Sequence, residues 1–155
     1  MMTAAIGKPA PDFQADSTIG RISLEQCRGR AVVLYFYPKD HTPGCTVEGQ
    51  NFRDLHDEFL NSKCVVIGVS RDSLKSHDSF CAKHSLPFPL IADTDETVCN
   101  LYGVIKQKNM YGKQVRGIER STFLIDAYGV LVQEWRGIRV PGHAQEVLQA
   151  ARSIG

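Results

Sequence analysis

The strongest constraint on this chain is a pair of seven-residue runs, AVVLYFY at 31–37 and CVVIGVS at 64–70. The first is β-branched and aromatic, the second rich in β-branched residues, and neither alternates with polar ones, the pattern of strands covered on both faces. Between them, 43–60 reads as a helix whose Phe52, Leu55 and Phe59 share one apolar face. A helix joining two buried strands is the unit of a parallel sheet. Upstream, Pro9 and Pro11 make 7–12 an extended entry segment, and 13–23 holds a short hairpin around Ile19-Gly20. Downstream, Asp72 or Ser73 caps a helix that runs through His84; a short strand at 89–92 and a brief helix over 95–102, closed by Gly103, follow. Strands at 121–125 and 130–135 flank the turn Asp126-Ala127-Tyr128-Gly129, and 143–152 forms the last helix. The expected fold class is α/β, a mostly parallel sheet with an antiparallel edge, flanked by helices.

At 155 residues the chain is expected to be a single domain over 1–155, large enough to bury a core without staples. Lys+Arg 18 against Asp+Glu 17 leaves a net +1 with the signs interspersed, which argues against a dedicated nucleic-acid binder. A content of 43% hydrophobic and 23% charged residues is that of a globular protein. The longest apolar run is too short to span a bilayer and 1–13 holds no signal-peptide core, so a soluble, cytoplasmic protein without membrane association is expected. Cysteines stand at 27, 45, 64, 81 and 99, odd in number and with no C-x-x-C pair. That argues against an oxidised secreted framework and against paired zinc ligands; no metal is expected, and one or two thiols remain as candidates for reactivity.

The segment Pro38-Lys39-Asp40-His41-Thr42-Pro43-Gly44-Cys45 leads from the first buried strand into the first long helix. Thr42 suits the N-cap and Pro43 the first helical position, which puts Cys45 third. There the free N–H groups and the macrodipole favour an anion. A thiol titrating near about 8.5 is only a few per cent thiolate at neutral pH, and bringing one to about 6 takes about 3.4 kcal/mol. A helix terminus supplies about 1 kcal/mol of that, so a cation must supply the rest. From these residues alone Cys45 is either a reactive thiolate or an inert residue that starts a helix, and no particular cation is singled out.

The pattern P-x-x-x-T-x-x-C, here Pro38, Thr42 and Cys45, resembles the active-site signature of the peroxiredoxins, thiol peroxidases on a thioredoxin-like fold. The longer string Phe36-Tyr37-Pro38-Lys39 with Thr42-Pro43-Gly44-Cys45-Thr46 is similar to the peroxiredoxin Q, or bacterioferritin comigratory protein, subfamily. The likeness continues through Ile91-Ala92-Asp93, Tyr102-Gly103-Val104 and 120–126. It implies a thioredoxin-like fold with a central mixed β-sheet flanked by helices. It also implies that Cys45 is the peroxidatic nucleophile, attacking the O–O bond of hydrogen peroxide or an organic hydroperoxide and becoming a sulfenic acid. By the same resemblance Thr42 hydrogen-bonds the peroxide oxygens, Pro38 shields the thiolate from water, and Arg120 is the missing cation. As a bare residue Arg120 reads as surface charge. Glu48, one turn after Cys45, resembles the carboxylate that orients this arginine; its other reading is a solvated residue near a helix N-terminus.

Many members carry a resolving cysteine five positions after the peroxidatic one, where this chain has Gln50. Another branch keeps it on the next helix, and Cys81, 36 residues after Cys45, stands where that branch has it. The resemblance implies that Cys81 condenses with the Cys45 sulfenate to an intramolecular disulfide; read alone, it is a core cysteine on the stripe Leu74, His77, Cys81. Cysteines on two separate helices are expected to lie beyond the Cα separation of about 4.4–6.8 Å that a disulfide needs. Oxidation is therefore expected to unwind part of both helices, at Gly44 and at the weak helix formers Ser76-His77-Asp78-Ser79. Cys27, Cys64 and Cys99 are expected to be structural, Trp135 a core residue, and His41 a solvent-facing loop residue, with tuning of the thiolate as its alternative. No cofactor is expected, whether metal, haem or flavin. The implied partners are hydroperoxide substrates and thioredoxin or a similar reductant, acting on a monomer. Competing readings are a thiol–disulfide oxidoreductase, which the missing C-x-x-C disfavours, a thiol-based redox sensor or chaperone-like module, and a one-cysteine peroxidase resolved by an external thiol.

Overall fold

In the structure, a computed structural model that describes residues 4–154 (the side chain of Met110 apart), the elements follow in this order: β1 (Gln14–Ser17), β2 (Gly20–Ser23), a short 3-10 turn, β3 (Ala31–Phe36), α1 (Pro43–Asp54), α2 (His56–Asn61), β4 (Cys64–Ser70), α3 (Leu74–His84), β5 (Leu90–Ala92), α4 (Thr97–Leu101), β6 (Ile105–Met110), β7 (Lys113–Ile118), β8 (Ser121–Ile125), β9 (Leu131–Arg136) and α5 (His143–Ile154). Seven strands form one sheet in the order β2-β1-β5-β4-β3-β8-β9, while β6 and β7 pair by themselves. The two apolar runs lie side by side as parallel β3 and β4, with β5 parallel beyond them. Antiparallel β8 and β9 extend one side and β1 and β2 the other. The sheet is mixed, and every residue of β3 is buried, as its lack of alternation requires.

Both faces of the sheet are covered. On one, Val32, Leu34 and Phe36 pack with Val98 and Tyr102 at α4 and with Phe13 and Leu24 of the N-terminal segment. On the other, Val33, Tyr35 and Tyr37 pack with Phe52 of α1, Phe59 of α2, Phe80 of α3 and Val147 of α5. The helices that carry Cys45 and Cys81 thus share one face of the sheet and one apolar cluster. No helix among the described residues is long and apolar enough to cross a membrane.

Several elements depart from the sequence expectation. The helix over 43–60 breaks at Leu55 (φ −100°, ψ 3°), with no Gly or Pro to announce it. Because the Leu55 N–H still reaches Asn51 O at 3.3 Å, the two pieces stay nearly in line and bury Phe52 and Phe59 on a common face. Ser73 rather than Asp72 caps α3, its hydroxyl accepting from the Ser76 N–H at 3.2 Å. The buried stripe of α3 is His77 and Phe80, while Leu74 is exposed and Cys81 half-buried, so the helix is rotated from the expected face. Trp135 is only half-buried because β9 is the edge of the sheet. The β6-β7 hairpin has no apolar alternation to reveal it: Lys106, Lys108, Lys113 and Arg116 fill its strands, and it turns at Tyr111 and Gly112 with positive φ.

One contact transmits the sheet to the first helix. Tyr35 is paired in register with Gly68, and its ring stacks on Phe52 of α1 with centroids 4.7 Å apart. The ring has room because Gly68 lacks a side chain; a Cβ there would stand 3.0 Å from Tyr35 Cζ and 2.6 Å from Leu90 Cδ2. Gly68→Ala is therefore expected to overpack the core and cost about 1–3 kcal/mol in chemical denaturation, and an unchanged midpoint would show that Tyr35 does not need this space.

Candidate active site

The β3-α1 loop leaves the sheet at Tyr37 and turns at His41, whose φ is 64°. His41 is exposed, its ring edge-on to Phe80 at 5.3 Å. Thr42 takes the N-cap conformation (φ −90°, ψ 151°), Pro43 opens the helix and Cys45 is third, as the sequence predicts. The Thr42 hydroxyl does not cap, however: it donates to Lys39 O at 2.7 Å, which locks the loop and leaves its oxygen free to accept. With Pro43 lacking an N–H, helix geometry leaves the amides of Gly44 and Cys45 as free donors in the first turn. Cys45 is 2% exposed and Pro38 half-buried beside it in the chain's turn toward the helix.

Arg120 reaches this turn through strand register. Ser121 pairs with Phe36 across β3 and β8, so the residue before it comes level with the start of the loop. Ile138 N–H fixes its carbonyl at 3.2 Å. The guanidinium then donates through Nη1 to Glu48 Oε1 at 2.6 Å and through Nη2 to Cys45 Sγ at 3.5 Å. Neither surface reading of these residues holds: Glu48 is 1% exposed, and the Arg120 side chain keeps only 17% of its accessible area. Burial pushes the Glu48 carboxyl up to about 7, against the pull of Arg120. Glu48 falls on the buried side because it is one turn on from Cys45.

The other cysteines lie in a different electrostatic setting. Burial pushes the Cys81 thiol up to about 11 and the Cys64 thiol up to about 12, and it also raises Cys27 and Cys99. All five cysteines are free thiols, and Cys45 and Cys81 pack on the same apolar cluster without a bond between them. Among the described residues Cys45 is the one whose sulfur accepts a hydrogen bond from a guanidinium.

Beside the site runs a buried polar network that the sequence reading missed. Asp40, 3% exposed, accepts from Tyr37 Oη at 2.7 Å, from Ser76 Oγ at 2.8 Å and faces His77 Nδ1 at 2.7 Å. Its backbone N–H donates to Asp72 Oδ2, which also takes the Ser70 hydroxyl. Burial pushes the Asp40 carboxyl up, and the hydrogen bonds from His77 and Tyr37 outweigh it and hold the carboxyl below its ordinary value. Asp40, Asp72 and His77 offer ligand atoms within 4.8 Å of one another, but hydrogen bonds account for these atoms without an ion. A histidine on the apolar side of a helix beside Phe80 was the only available signal. A second buried histidine, His143, contacts Thr122 Oγ1 at 2.8 Å, and burial lowers it to about 4.

An N-terminal helical cysteine on a mixed α/β sheet, with a paired guanidinium on its sulfur, defines a thiol-chemistry site. The sequence profile of the AhpC/TSA family matches residues 6–134, and the chain belongs to that family. Within it the chain falls in the peroxiredoxin Q, or bacterioferritin comigratory protein, subfamily, and its fold is thioredoxin-like. It is 49% identical over 156 residues to peroxiredoxin Bcp of Xanthomonas campestris pv. campestris, covering 99% of this chain and 98% of the relative. A solved structure of Xanthomonas campestris peroxiredoxin Q superposes with a TM-score of 0.90 at 50% identity, over 97% of either chain. A structure of Xanthomonas campestris bacterioferritin comigratory protein gives a TM-score of 0.90 at 48% identity, over 97% of this chain and 98% of that one.

Two expectations follow from the site's geometry. A Cβ on Gly44 would meet Arg120 Nη2 at 3.2 Å, so Gly44→Ala should displace the guanidinium from Cys45. Peroxide reactivity of Cys45 should fall about tenfold, while stability holds or rises by up to about 1 kcal/mol because Ala favours the helix; unchanged reactivity would show that Arg120 tolerates the shift. The second concerns pH. Glu48, raised from 4.5 to about 7, stabilises the fold below its unfolded value and loses that contribution as pH rises toward 7. His143, lowered from 6.5 to about 4, does the opposite, its contribution being lost as pH falls from 6.5 toward 4. Glu48→Gln should therefore steepen the rise of Tm with pH between 4.5 and 6.5, and an unaltered profile would mean that Glu48 keeps an ordinary carboxylate titration.

Proposed function

We propose that this chain is a thiol-dependent peroxidase that reduces hydrogen peroxide and organic hydroperoxides through Cys45, resolves the product with Cys81, and is recycled by thioredoxin or a similar dithiol reductant. The observation that carries the reading is the Arg120 guanidinium, held by Glu48 at 2.6 Å and set 3.5 Å from a sulfur in the first turn of a helix. The related bacterioferritin comigratory protein of Xanthomonas campestris is described by its alkyl peroxide reduction activity, which supports the substrate class.

The Cys45 thiolate attacks one peroxide oxygen in line with the O–O bond. An S–O bond forms, the O–O bond breaks, and the leaving oxygen departs as water or alcohol after taking a proton; sulfur is oxidised to sulfenic acid and the peroxide is reduced. Charge moves from sulfur to the leaving oxygen, and fixed donors along that path stabilise it: the Arg120 guanidinium and the amides of Gly44 and Cys45. Thr42, its own proton committed to Lys39 O, accepts from the peroxide O–H and orients it. Pro38 limits water at the sulfur.

Resolution joins the Cys45 and Cys81 sulfurs and releases water, and a dithiol reductant then takes over the disulfide. Cys81 is poorly suited to react where it stands, since burial pushes its thiol up to about 11 and leaves almost none as thiolate. Unwinding α3 exposes the sulfur, restores its acidity and brings it within reach. The C-terminal end of α3 favours this. Ser85 closes the helix in the left-handed region (φ 53°), a conformation that costs a non-glycine residue about 1 kcal/mol, and the capping N–H of Leu86 bonds the Cys81 carbonyl at 3.1 Å.

Disulfide mapping tests the whole reading. The reduced protein receives one equivalent of hydrogen peroxide, free thiols are alkylated, and linked peptides are identified by mass spectrometry. A Cys45–Cys81 bridge with Cys27, Cys64 and Cys99 alkylated is expected. Sulfenic or sulfinic Cys45 with free Cys81 would instead indicate an external resolving thiol, and an untouched Cys45 would end the peroxidase reading.

A further inference from the structure

Resting on the assignment of Cys81 as the resolving thiol, we infer that Asp40, Ser76 and His77 form a clamp between the two cysteine-bearing segments, and that release of this clamp sets the rate of disulfide formation. The three residues are positioning residues and touch no reacting atom. Asp40 lies in the β3-α1 loop, five residues before Cys45; Ser76 and His77 lie in α3, with His77 one turn before Cys81. The link is direct and almost wholly buried, with the His77 and Asp40 side chains 0% and 1% exposed.

Three bonds make it up. Asp40 Oδ2 takes the Ser76 hydroxyl at 2.8 Å and His77 Nδ1 at 2.7 Å, and its Oδ1 takes the Tyr37 phenol at 2.7 Å. The far side of the ring is anchored too, with Nε2 2.9 Å from Ile91 O on β5. Both ring nitrogens thus lie within hydrogen-bond distance of an oxygen, one on the loop and one on the sheet. The clamp therefore ties the loop, the sheet and α3 together at one point. While it is closed, the first turns of α3 and the loop before Cys45 are fixed relative to each other. A disulfide between Cys45 and Cys81 requires both segments to move, and this is the buried polar connection between the loop and the first turns of α3; a second, at the far end of α3, runs from Arg53 Nη1 of α1 to His84 O at 2.8 Å. Charge-assisted bonds of this kind are strong when dry and are readily exchanged for water once opened, which makes the clamp an all-or-none latch.

Rapid-quench kinetics on the full chain separates the two chemical steps: second-order attack of hydrogen peroxide on Cys45, and first-order formation of the Cys45–Cys81 bridge. His77→Gln keeps a donor for Ile91 O and removes the bond to Asp40, and Ser76→Ala removes only the hydroxyl. Bridge formation should accelerate about tenfold in the first and about threefold in the second, with peroxide attack within about twofold of the parent. Amide exchange across 74–84 should quicken in the same order. The partition of Cys45 between sulfinic acid and disulfide at high peroxide should shift toward disulfide, a readout that a merely structural role would not move. Resolution that is unchanged or slower in both variants would overturn the clamp. If His77→Gln does not fold, Ser76→Ala alone decides, since unaltered bridge formation there removes the rate effect. A parent protein that forms no Cys45–Cys81 bridge would overturn the assignment of Cys81 and the clamp with it, whereas a bridge formed at a rate indifferent to both variants would overturn the clamp alone.

Discussion

A half-buried guanidinium organises this site. Arg120 is taken out of water beside a sulfur, and it stays there because Glu48 answers its charge at 2.6 Å. An unpaired cation at such a place would cost several kcal/mol in desolvation, so the pair is what allows a positive group to face Cys45 at all. The pair in turn demands two independent pieces of structure. Glu48 must follow Cys45 by one helical turn, and β8 must hold the register that sets Ser121 against Phe36. A slip of one residue would send Arg120 to the opposite face of the sheet. The unbroken apolar character of β3 removes that freedom, since both of its faces are packed and neither tolerates a shifted neighbour.

The fold keeps its two thiols in opposed states. Cys45 is surrounded by donors, from the helix start and from Arg120, and Cys81 by apolar side chains that push its thiol up to about 11. Both sulfurs nonetheless pack on one cluster, on one side of the sheet. Attack needs a closed, preorganised pocket, and condensation needs that pocket opened. The burial that raises the Cys81 thiol also means that exposing this sulfur carries a cost of its own.

Much of this was legible in the chain because it depends on local rules. The runs at 31–37 and 64–70 carry no alternation, and they became the parallel centre of the sheet. Thr42-Pro43 marked the helix start, since a missing N–H is harmless only at the first position. What remained hidden depends on tertiary partners. Nothing in Ser76-His77 says that an aspartate 36 or 37 residues earlier will bond to both, because the contact exists only once α3 packs over the loop. Leu74, His77 and Cys81 have helical spacing, yet His77 and Phe80 took the interior, since a histidine with acceptors on both sides is as burial-competent as a leucine. The β6-β7 hairpin escaped because, among the described residues, its apolar side chains buried or half-buried are those at its root, Ile105 and Ile118, while Val115 and its lysines face solvent.

The break at Leu55 and the positive φ of His41, Ser85 and Glu96 were likewise not legible in the chain. None has a glycine at the position itself, and their surroundings differ: Leu55 packs on the apolar cluster, the His41 ring lies edge-on to Phe80, and Glu96 pairs with Arg71 and Arg116. They lie at the borders of the helices that carry or flank the thiols. A glycine at Ser85 would relax the left-handed cap and strengthen the end of α3 that carries Cys81, which the proposed two-cysteine mechanism would have to open. On the proposed mechanism the left-handed cap at Ser85 and the polar tie at Asp40 therefore act in opposition, the first lowering the cost of opening α3 and the second holding its first turn to the loop.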